Sequence, residues 1–332
     1  MNSDRRVTLK DVARAAGLSV SAVSYALRRA ANIPEKTAER VQAVASKLGY
    51  RPNARVGELM AHIRRARPLE KVEPLALVYV QGDRISAESE FSKQVETAAR
   101  KHATECGYRL DTFRLTDVEG NARRLAGILR ARGVSGVLFF PTAGRDRIEL
   151  NWPWEDFAVA VLGMSELNVA LPRAGHHHYE AMREVLRQLA SRGATHPVLL
   201  IDAATNARAH RGWQAAWLVD GPIDAPHRLW LQHDKIRASL SAWLKKLKPD
   251  AVIVDSLPLL RQVQAAGWKG PNSRVVLLSW VPTSGVAGIE QGYDTIAAHA
   301  VDLVVTQLQH NQRGLPTPPP MLLFSGRWRD AE

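Results

Sequence analysis

Apolar residues recur at helical spacing along the first fifty residues of the chain. Two short stretches of this kind, about residues 8–16 and 19–27, are separated by Gly17. Glycine permits the left-handed backbone that a tight turn between two helices requires, so the pattern predicts a helix-turn-helix. An amphipathic hairpin buried in a larger core would show the same spacing. A third helix is predicted over about residues 34–48, with one apolar face formed by Ala38, Val41, Ala45 and Leu48.

Individual residues predict where these helices begin and how they pack. Thr8 and Asp11 have the spacing of a capping box, which predicts that the first helix begins just after Thr8. Ala13 is small enough for close helix packing, and Val23 is predicted to supply the buried contact of the second helix. Pro34 suits the first turn of the third helix.

Beyond residue 74 the pattern changes to apolar runs that alternate with amphipathic segments. Residues 68–74, with a proline at each end, are predicted to be a linker. Wholly apolar strands between helices indicate a parallel sheet covered on both faces, and two such sets predict two lobes with a ligand cleft between them. The predicted strands are residues 75–80, 108–115, 136–140, 157–162, 198–201, 228–231, 251–254, 274–279 and 321–325. The predicted helices of this part are residues 91–106, 122–131, 179–191, 211–218, 236–247, 259–266 and 293–308.

The positive charge of the chain is concentrated at its N-terminal end. Residues 1–67 contain fourteen Lys and Arg against five Asp and Glu, a net charge of +9 out of +12 for all 332 residues. Such a concentration favours a nucleic-acid partner. A disordered basic tail would have the same charge, but it would lack apolar residues at helical spacing.

Other classes of protein find little support in the sequence. No apolar run follows the first residues and none approaches a membrane span, so we expect a cytoplasmic protein with no membrane partner. No glycine-rich phosphate loop and no G-x-S-x-G motif is present, and we therefore expect no cofactor and no enzyme activity. The single cysteine, Cys106, excludes an internal disulfide and is predicted to be a packing residue. Consecutive histidines at residues 176–178 splay around a helix axis, so no metal site is predicted there.

Three N-terminal motifs together resemble the LacI/GalR (lactose-repressor-type) family of bacterial transcription regulators. They are VTLKDVA at residues 7–13, VS at residues 23–24 and LGYRPN at residues 48–53. Thinner matches occur at RGW, residues 211–213, and at GIEQ, residues 288–291. The resemblance implies an α/β fold in which a small all-α helix-turn-helix domain precedes a two-lobed, periplasmic-binding-protein-like core with Rossmann-like parallel sheets.

The resemblance also implies a division of the chain into domains. Residues 1–52 would form the DNA-binding domain, residues 53–74 a hinge helix and linker, and residues 75–332 the effector-binding and dimerisation core. Within the core, lobe one is expected at about residues 75–171 plus 290–315. Lobe two is expected at about residues 172–289 plus 316–332.

In this family the second helix lies in the DNA major groove. The matching positions here predict base contacts from Val20, Ser21 and Tyr25. Tyr25 stands where family members often have arginine, and the alternative is a packing role in the small core. Contacts to the DNA backbone are implied for Thr8, Ser24, Lys36, Thr37 and Tyr50.

The segment after residue 52 matches the family's hinge helix, which inserts a leucine into the minor groove. The implied hinge residues are Asn53, Arg55, Leu59 and Met60. Gly57 and Glu58 depart from the family pattern, because glycine weakens a helix and glutamate places negative charge near phosphate.

The effector residues depart further from the family pattern. Trp280 replaces the usual aspartate, His177 and His178 replace an Asp-Asn pair, and Ala209 replaces an arginine. These changes favour a sugar-like, ring-bearing or anionic effector over a simple aldose, through stacking and charge pairing. The residues expected to bind it are Gln81, His177, His178, Arg208, Arg211 and Trp280.

The resemblance therefore implies a homodimeric repressor that binds a palindromic operator in double-stranded DNA. A small-molecule effector bound between the core lobes would control that binding. Two alternatives remain open: a regulator that has lost small-molecule sensing, and a non-DNA protein that binds small molecules.

Overall fold

Three helices form the N-terminal unit: α1 (Leu9–Ala16), α2 (Val20–Leu27) and α3 (Glu35–Lys47). The structure is a computed structural model, and it describes residues 7–27, 33–50, 72–80, 90–140, 148–232 and 239–331. The chain divides into two compact units, residues 1–71 and 72–332. The predicted helix-turn-helix is confirmed, and the third helix begins just after Pro34 rather than at it.

The turn between α1 and α2 depends on Gly17. Gly17 ends α1 in the left-handed conformation, with φ 64° and ψ 34°. At the other end of α1, the Asp11 carboxylate accepts hydrogen bonds from the Thr8 N–H (3.0 Å) and from the Thr8 hydroxyl (2.6 Å). These bonds hold the start of α1 where the sequence predicts it.

The core of the N-terminal unit comes from all three helices. Its buried members are Val12, Ala13, Val23, Ala26, Val41 and Ala45. The expectation that Leu48 belongs to the apolar face is wrong, because α3 ends at Lys47 and Leu48 in the cap is 38% exposed.

The second unit contains two sheets of six strands each. The first has the order β11-β5-β4-β3-β1-β2, and all its pairs are parallel. Helices α4 (Glu90–Glu105) and α11 (Tyr293–Gln309) cover one face, and α5 (Ala122–Ala131) covers the other. The strands are β1 (Glu73–Tyr79), β2 (Tyr108–Arg114), β3 (Gly136–Phe140), β4 (Ala158–Leu162), β5 (Arg173–His176) and β11 (Met321–Phe324).

The second sheet has the order β12-β10-β9-β8-β6-β7, with only the β10–β12 pair antiparallel. Its strands are β6 (Pro197–Asp202), β7 (Leu229–Gln232), β8 (Ala251–Val254), β9 (Val275–Leu277), β10 (Ala287–Glu290) and β12 (Arg327–Arg329). The helices around it are α6 (His178–Ser191), α7 (Ala203–Arg208), α8 (Gly212–Asp220), α9 (Leu240–Leu247) and α10 (Leu257–Ala265). Helices α6 and α8 pack on one face, and α9 and α10 on the other.

The chain crosses between the two lobes at three places, and two of them correct the predicted lobe boundaries. Strands β5 and β11, expected in lobe two, pair with each other in the first sheet. The tail after residue 316 contains two short strands rather than one, and Gly326 separates them so that each joins a different sheet. Two of the crossings, the one after β5 and the one after β11, lie side by side, and the His177 N–H donates to the Phe324 carbonyl at 2.8 Å.

Among the described residues, no helix has both the length and the apolar character that crossing a membrane requires.

Candidate nucleic-acid interface and ligand site

One face of α2 points away from the helical core. Val20 is 40% exposed and Tyr25 is 38% exposed, whereas Val23 and Ala26 on the same helix are buried. This exposure favours a contact role for Tyr25 over a packing role in the small core. Ser21 and Ser24 belong to α2, but their side chains lie outside the described part of the structure.

Four of the five residues predicted to contact the DNA backbone lie near the starts of α1 and α3 and after α3, and the fifth, Ser24, lies in α2. Thr8 is exposed, and its hydroxyl is bound to Asp11. Lys36 is exposed and Thr37 half-buried in the first turn of α3, and the N-terminal end of a helix attracts anions. Tyr50 packs partly against the core of the unit. The hinge candidates Asn53, Arg55, Leu59 and Met60, and the effector candidate Gln81, lie outside the described residues.

Two carboxylates meet at the carboxyl ends of neighbouring strands in the second sheet. Asp202 ends β6, and Asp255 directly follows β8. The Asp202 N–H donates to Asp255 Oδ2 at 2.7 Å, and Asp202 Oδ1 accepts from the Thr205 N–H at 2.8 Å, which caps α7. Asp255 is 1% exposed, and burial raises the pKa of its carboxyl group, although the Asp202 N–H opposes the shift.

Arg208 at the end of α7 belongs to the same cluster. Its Nη2 atom donates to Thr205 Oγ1 at 2.8 Å. Burial lowers the pKa of the guanidinium, and the carboxylates of Asp202 and Asp255 oppose that shift. The structure therefore places the predicted ligand residue Arg208 beside two carboxylates that the sequence analysis missed.

Two buried oxygen atoms near this cluster have no hydrogen-bond partner among the described residues. They are Asp255 Oδ1 and Asn206 Oδ1. The amide nitrogen of Asn206 is already bound to Gln214 Oε1 at 2.7 Å, and Asn206 is 3% exposed. An unpaired buried acceptor costs on the order of 1–3 kcal/mol. A ligand with hydroxyl or amine donors would remove that cost.

The crossing between β10 and α11 carries polar groups at the same edge of the sheet. Gln291 is buried, and its Nε2 atom donates to the Leu278 carbonyl and to Ser279 Oγ, both at 2.9 Å. The Tyr293 hydroxyl donates to Gln291 Oε1 at 2.7 Å. Burial raises the pKa of Tyr293, and the positive charge of Arg208 opposes that rise. The cluster is thus coupled to the first turn of α11, a helix of the other lobe.

The three consecutive histidines do not share one environment. His176 ends β5 at 3% exposure, His177 precedes α6, and His178 begins α6. His177 Nδ1 accepts from the Glu180 N–H at 3.3 Å, and the His178 ring contacts Trp213 edge to face at 4.6 Å. Burial lowers the pKa of His176 to about 4 and that of His178 well below its ordinary value.

The turn before α8 packs against the start of α6 at His178. Gly212 is needed there, because a Cβ atom at this position would lie 3.0 Å from the His178 Cβ. His210 and Arg211 both have positive φ angles, 51° and 55°. His210 Nε2 lies 3.8 Å from Glu166 Oε1, which belongs to the loop after β4 in the first lobe.

Two other predicted ligand residues, Trp280 and Arg211, lie apart from the cluster of Arg208. The Trp280 indole N–H donates to the Val286 carbonyl at 2.9 Å, and the Arg329 guanidinium lies 5.7 Å from its ring centroid. Arg211 is an exposed residue before α8 rather than part of the helix. The structure therefore groups Arg208 with Asp202 and Asp255, and it gives no contact of Trp280 or Arg211 with that group among the described residues.

Comparison with known proteins identifies the N-terminal unit. The family model described as "Bacterial regulatory proteins, lacI family" matches residues 8–53, which contain α1, α2 and α3. The N-terminal unit is therefore similar to the lacI family of bacterial regulatory proteins.

A curated LacI-family relative and two solved structures extend the likeness. Catabolite control protein A of Streptococcus mutans serotype c (strain ATCC 700610 / UA159) is 25% identical over 190 residues, which are 57% of this chain and 53% of the relative. The chain thus spans about half the length of the first curated relatives that it matches.

The two solved structures match nearly the whole chain. The complex of the transcriptional regulator CelR with cellobiose is 19% identical, with a TM-score of 0.58, and the match covers 98% of this chain and 99% of that chain. The lac repressor dimer bound to operator and the anti-inducer ONPF is 18% identical, with a TM-score of 0.55 and 98% coverage of both chains. At these identities the likeness shows the fold, an α/β periplasmic-binding-protein-like core after a helical domain, as the sequence predicts.

The LacI resemblance located only part of the polar cluster, although a simple signal for the rest was present. Asp202 and Asp255 each follow an apolar run directly, and Ser279 closes a third. In a parallel sheet the residues after such runs meet at one edge. Asn206 gave no comparable signal, because its position follows from the short α7 helix. Gln291 lies in the GIEQ match at residues 288–291, but that match did not indicate that the side chain joins this cluster.

Proposed function

We propose that this protein is a sequence-specific DNA-binding regulator. It is a repressor whose affinity for an operator depends on a small molecule. The observation that carries the proposal is the exposed pair Val20 and Tyr25 on the second helix of a unit that matches the LacI DNA-binding model. Side chains on that helix reach base edges when it lies in the major groove. The exposed Lys36 would position the unit by binding phosphate.

The effector of this repressor is a ring-bearing small molecule rich in hydroxyl groups. The unpaired acceptors Asp255 Oδ1 and Asn206 Oδ1 require donors, and Arg208 offers a charged donor beside them. The sugar ligand of the CelR complex is a precedent within the fold. Donors on the ligand would satisfy groups that closure of the cleft otherwise leaves buried and unpaired.

The effector controls DNA binding because its affinity differs between two arrangements of the lobes. The cluster belongs to the second lobe, but Gln291 and Tyr293 connect it to α11 of the first. A ligand that binds one arrangement more tightly shifts the population toward it.

We expect the protein to act as a homodimer on a palindromic operator in the cytoplasm, where the DNA is accessible.

Selection of bound sequences from random duplex DNA tests the DNA-binding part of the proposal. We expect a palindrome, and we expect Tyr25→Ala to relax the preference at one base pair in each half-site, costing roughly 1–3 kcal/mol there. Leu48→Ala is the matched control, because Leu48 is equally exposed (38%) in the same unit but lies off α2. Enrichment of no sequence, with and without a panel of metabolites, would refute sequence-specific regulation.

A second candidate function, regulation without small-molecule sensing, is favoured by the internal contacts of Trp280 and His177. Titration of the purified protein with a panel of sugars and sugar phosphates separates the two. Binding that is lost in Asp255→Asn supports the effector site. If no panel member binds while DNA selection succeeds, the protein regulates without this class of effector.

A further inference from the structure

Three side chains of the types that bind metal ions lie close together in the first lobe, where α4 and α11 pack against each other. Helices α4 and α11 pack against each other through Ala99, Ala103, Ala300 and Val304. His102 and Cys106 are one turn apart on the α4 side, and Asp302 faces them from α11. One ligand atom from each of the three residues lies within 4.8 Å of the other two.

The distances between these atoms approach those of a tetrahedral metal site. Cys106 Sγ lies 3.7 Å from His102 Nε2, and Asp302 Oδ1 lies 2.7 Å from the same nitrogen. Zinc bonds of ordinary length at a tetrahedral angle separate sulfur from nitrogen by roughly 3.6 Å, and nitrogen from oxygen by roughly 3.4 Å. The sulfur already stands at that distance. The carboxylate would retreat by ~0.7 Å, which its 47% exposure permits.

A second carboxylate orients the imidazole for this purpose. Glu105 Oε2 lies 3.3 Å from His102 Nδ1, on the far side of the ring from the other two residues. A metal-bound histidine typically donates its other N–H to such a group, which fixes the tautomer with the ligating nitrogen free. Burial raises the pKa of the Cys106 thiol, and the carboxylates of Asp302 and Glu105 raise it further; a bound cation would oppose the contribution of the carboxylates.

Two simpler explanations account for less of this geometry. An ion pair explains the contacts of His102 with Asp302 and Glu105, but it does not require a thiol at 3.7 Å from the same nitrogen. An activated nucleophile would need a lowered thiol pKa, whereas the pKa of Cys106 is raised.

We propose that His102, Cys106 and Asp302 form a binding site for a divalent transition-metal ion of the zinc class, with Glu105 as the orienting carboxylate. Mixed sulfur, nitrogen and oxygen donors with an open fourth position favour zinc over magnesium or calcium. The ion would tie α4 to α11. Cys106 also packs against the hydrophobic core of the first lobe, as the sequence predicts, so the proposed metal-binding role adds to its packing role. The site is independent of DNA binding and of the effector cluster.

The test uses the full chain without a polyhistidine tag, titrated with Co²⁺ as a spectroscopic substitute and then with Zn²⁺. Because the chain has one cysteine, a thiolate-to-cobalt charge-transfer band can arise only from Cys106. We expect that band at one cobalt per chain, its loss on addition of zinc, and a higher melting temperature with zinc than with EDTA.

Variants decide which residues hold the ion. Cys106→Ser abolishes the band, Asp302→Asn weakens zinc binding more than tenfold, and Glu105→Gln weakens it by roughly tenfold or more. His310→Ala, which changes an exposed histidine just after α11, leaves the zinc affinity unchanged. Absence of the charge-transfer band in the wild-type protein, or zinc affinity in Cys106→Ser equal to wild type, would overturn the site.

Discussion

At the scale of single residues, burial shifts the pKa values of ionisable side chains. His176 shows the effect most clearly, because its ring lies 3% exposed at the end of β5 beside His177, His178 and the Phe324 carbonyl. Burial disfavours the charged imidazolium and lowers its pKa from 6.5 to about 4. The unfolded chain therefore binds a proton at this residue more readily than the folded chain does.

This difference predicts a pH dependence of stability. The free energy of unfolding of the core should fall as the pH decreases from 6.5 to 4, because the unfolded state takes up the proton first. His176 alone would contribute up to about 3 kcal/mol over that window. Urea unfolding at a series of pH values should show a shallower fall for His176→Gln than for the wild-type protein.

The exposed His310 supplies the control for this measurement. His310→Gln should reproduce the wild-type profile. Because burial also lowers the pKa of His178, some slope should remain in the His176 variant. A His176→Gln profile parallel to wild type throughout the window would show that this histidine is not buried in its neutral form.

At the scale of elements, the helix-turn-helix depends on one backbone conformation. Gly17 has a φ angle of +64°, and nothing lies within 4 Å of where its Cβ would stand, so any cost of a side chain comes from the backbone alone. Gly17→Ala should destabilise the N-terminal unit by about 1 kcal/mol. Gly127→Ala is the matched control, since Gly127 lies inside α5 with equally open space but no positive φ, and it should stabilise the core by ~0.5–1 kcal/mol. Thermal unfolding followed by calorimetry measures both, and equal effects of the two substitutions would contradict the prediction.

The side chain of Gln307, a buried residue of α11, hydrogen-bonds to the part of β4 that does not pair with β5. Strand β5 pairs with β4 only at Val161 and Leu162, and Gln307 from α11 takes the place of a neighbour at Val159. Its Oε1 atom accepts from the Val159 N–H at 3.2 Å, and its Nε2 atom donates to the Val159 carbonyl at 3.0 Å. The Gln307 amide thus makes one accepted and one donated hydrogen bond with the Val159 backbone, as a neighbouring strand would.

Gln307→Leu should therefore lower the free energy of unfolding of the core by about 1–3 kcal/mol, because it leaves two buried backbone groups unpaired. Urea unfolding measures the change. Gln309→Leu changes an exposed glutamine at the end of the same helix and should stay within about 0.5 kcal/mol of wild type. A wild-type midpoint for Gln307→Leu would mean that Val159 finds other partners.

The elements that the sequence predicted well are those with strong periodicity or wholly apolar runs. Helix α5 and strands β3 and β8 have the predicted bounds, and most others differ by one or two residues. The missed elements are short: β5, α7, β10 and β12. Arg173–His176 contains a charged residue, a glycine and a histidine, so its strand exists only because β11 and β4 pair with it.

At the scale of the whole molecule, positive charge is concentrated toward the N-terminal end of the chain. The first 67 residues hold a net charge of +9, against +12 for the full sequence. DNA binding by such a surface releases counterions, so the logarithm of the affinity should fall linearly with the logarithm of salt concentration.

Lys36→Ala should reduce the magnitude of that slope by about 2 without changing the selected sequence, because the proposed homodimer would lose one phosphate contact in each of its two DNA-binding units. Lys245→Ala, an exposed lysine on α9 of the core, should leave the slope unaltered. Fluorescence anisotropy with the selected duplex at several salt concentrations gives both values. Equal slopes for wild type and Lys36→Ala would place this lysine away from phosphate.

The sequence by itself determined the local structure and the match of the N-terminal unit to the lacI family model. Periodicity, the glycine at residue 17 and the motifs of residues 7–53 act over short chain distances, and they give the helix-turn-helix and the alternation of strands and helices. Only the tertiary structure decided which distant residues meet. The pairing of β5 with β11, the approach of Asp202 to Asp255 and the meeting of His102 with Asp302 join residues up to two hundred positions apart. Such contacts depend on strand order and helix packing, which local spacing does not encode.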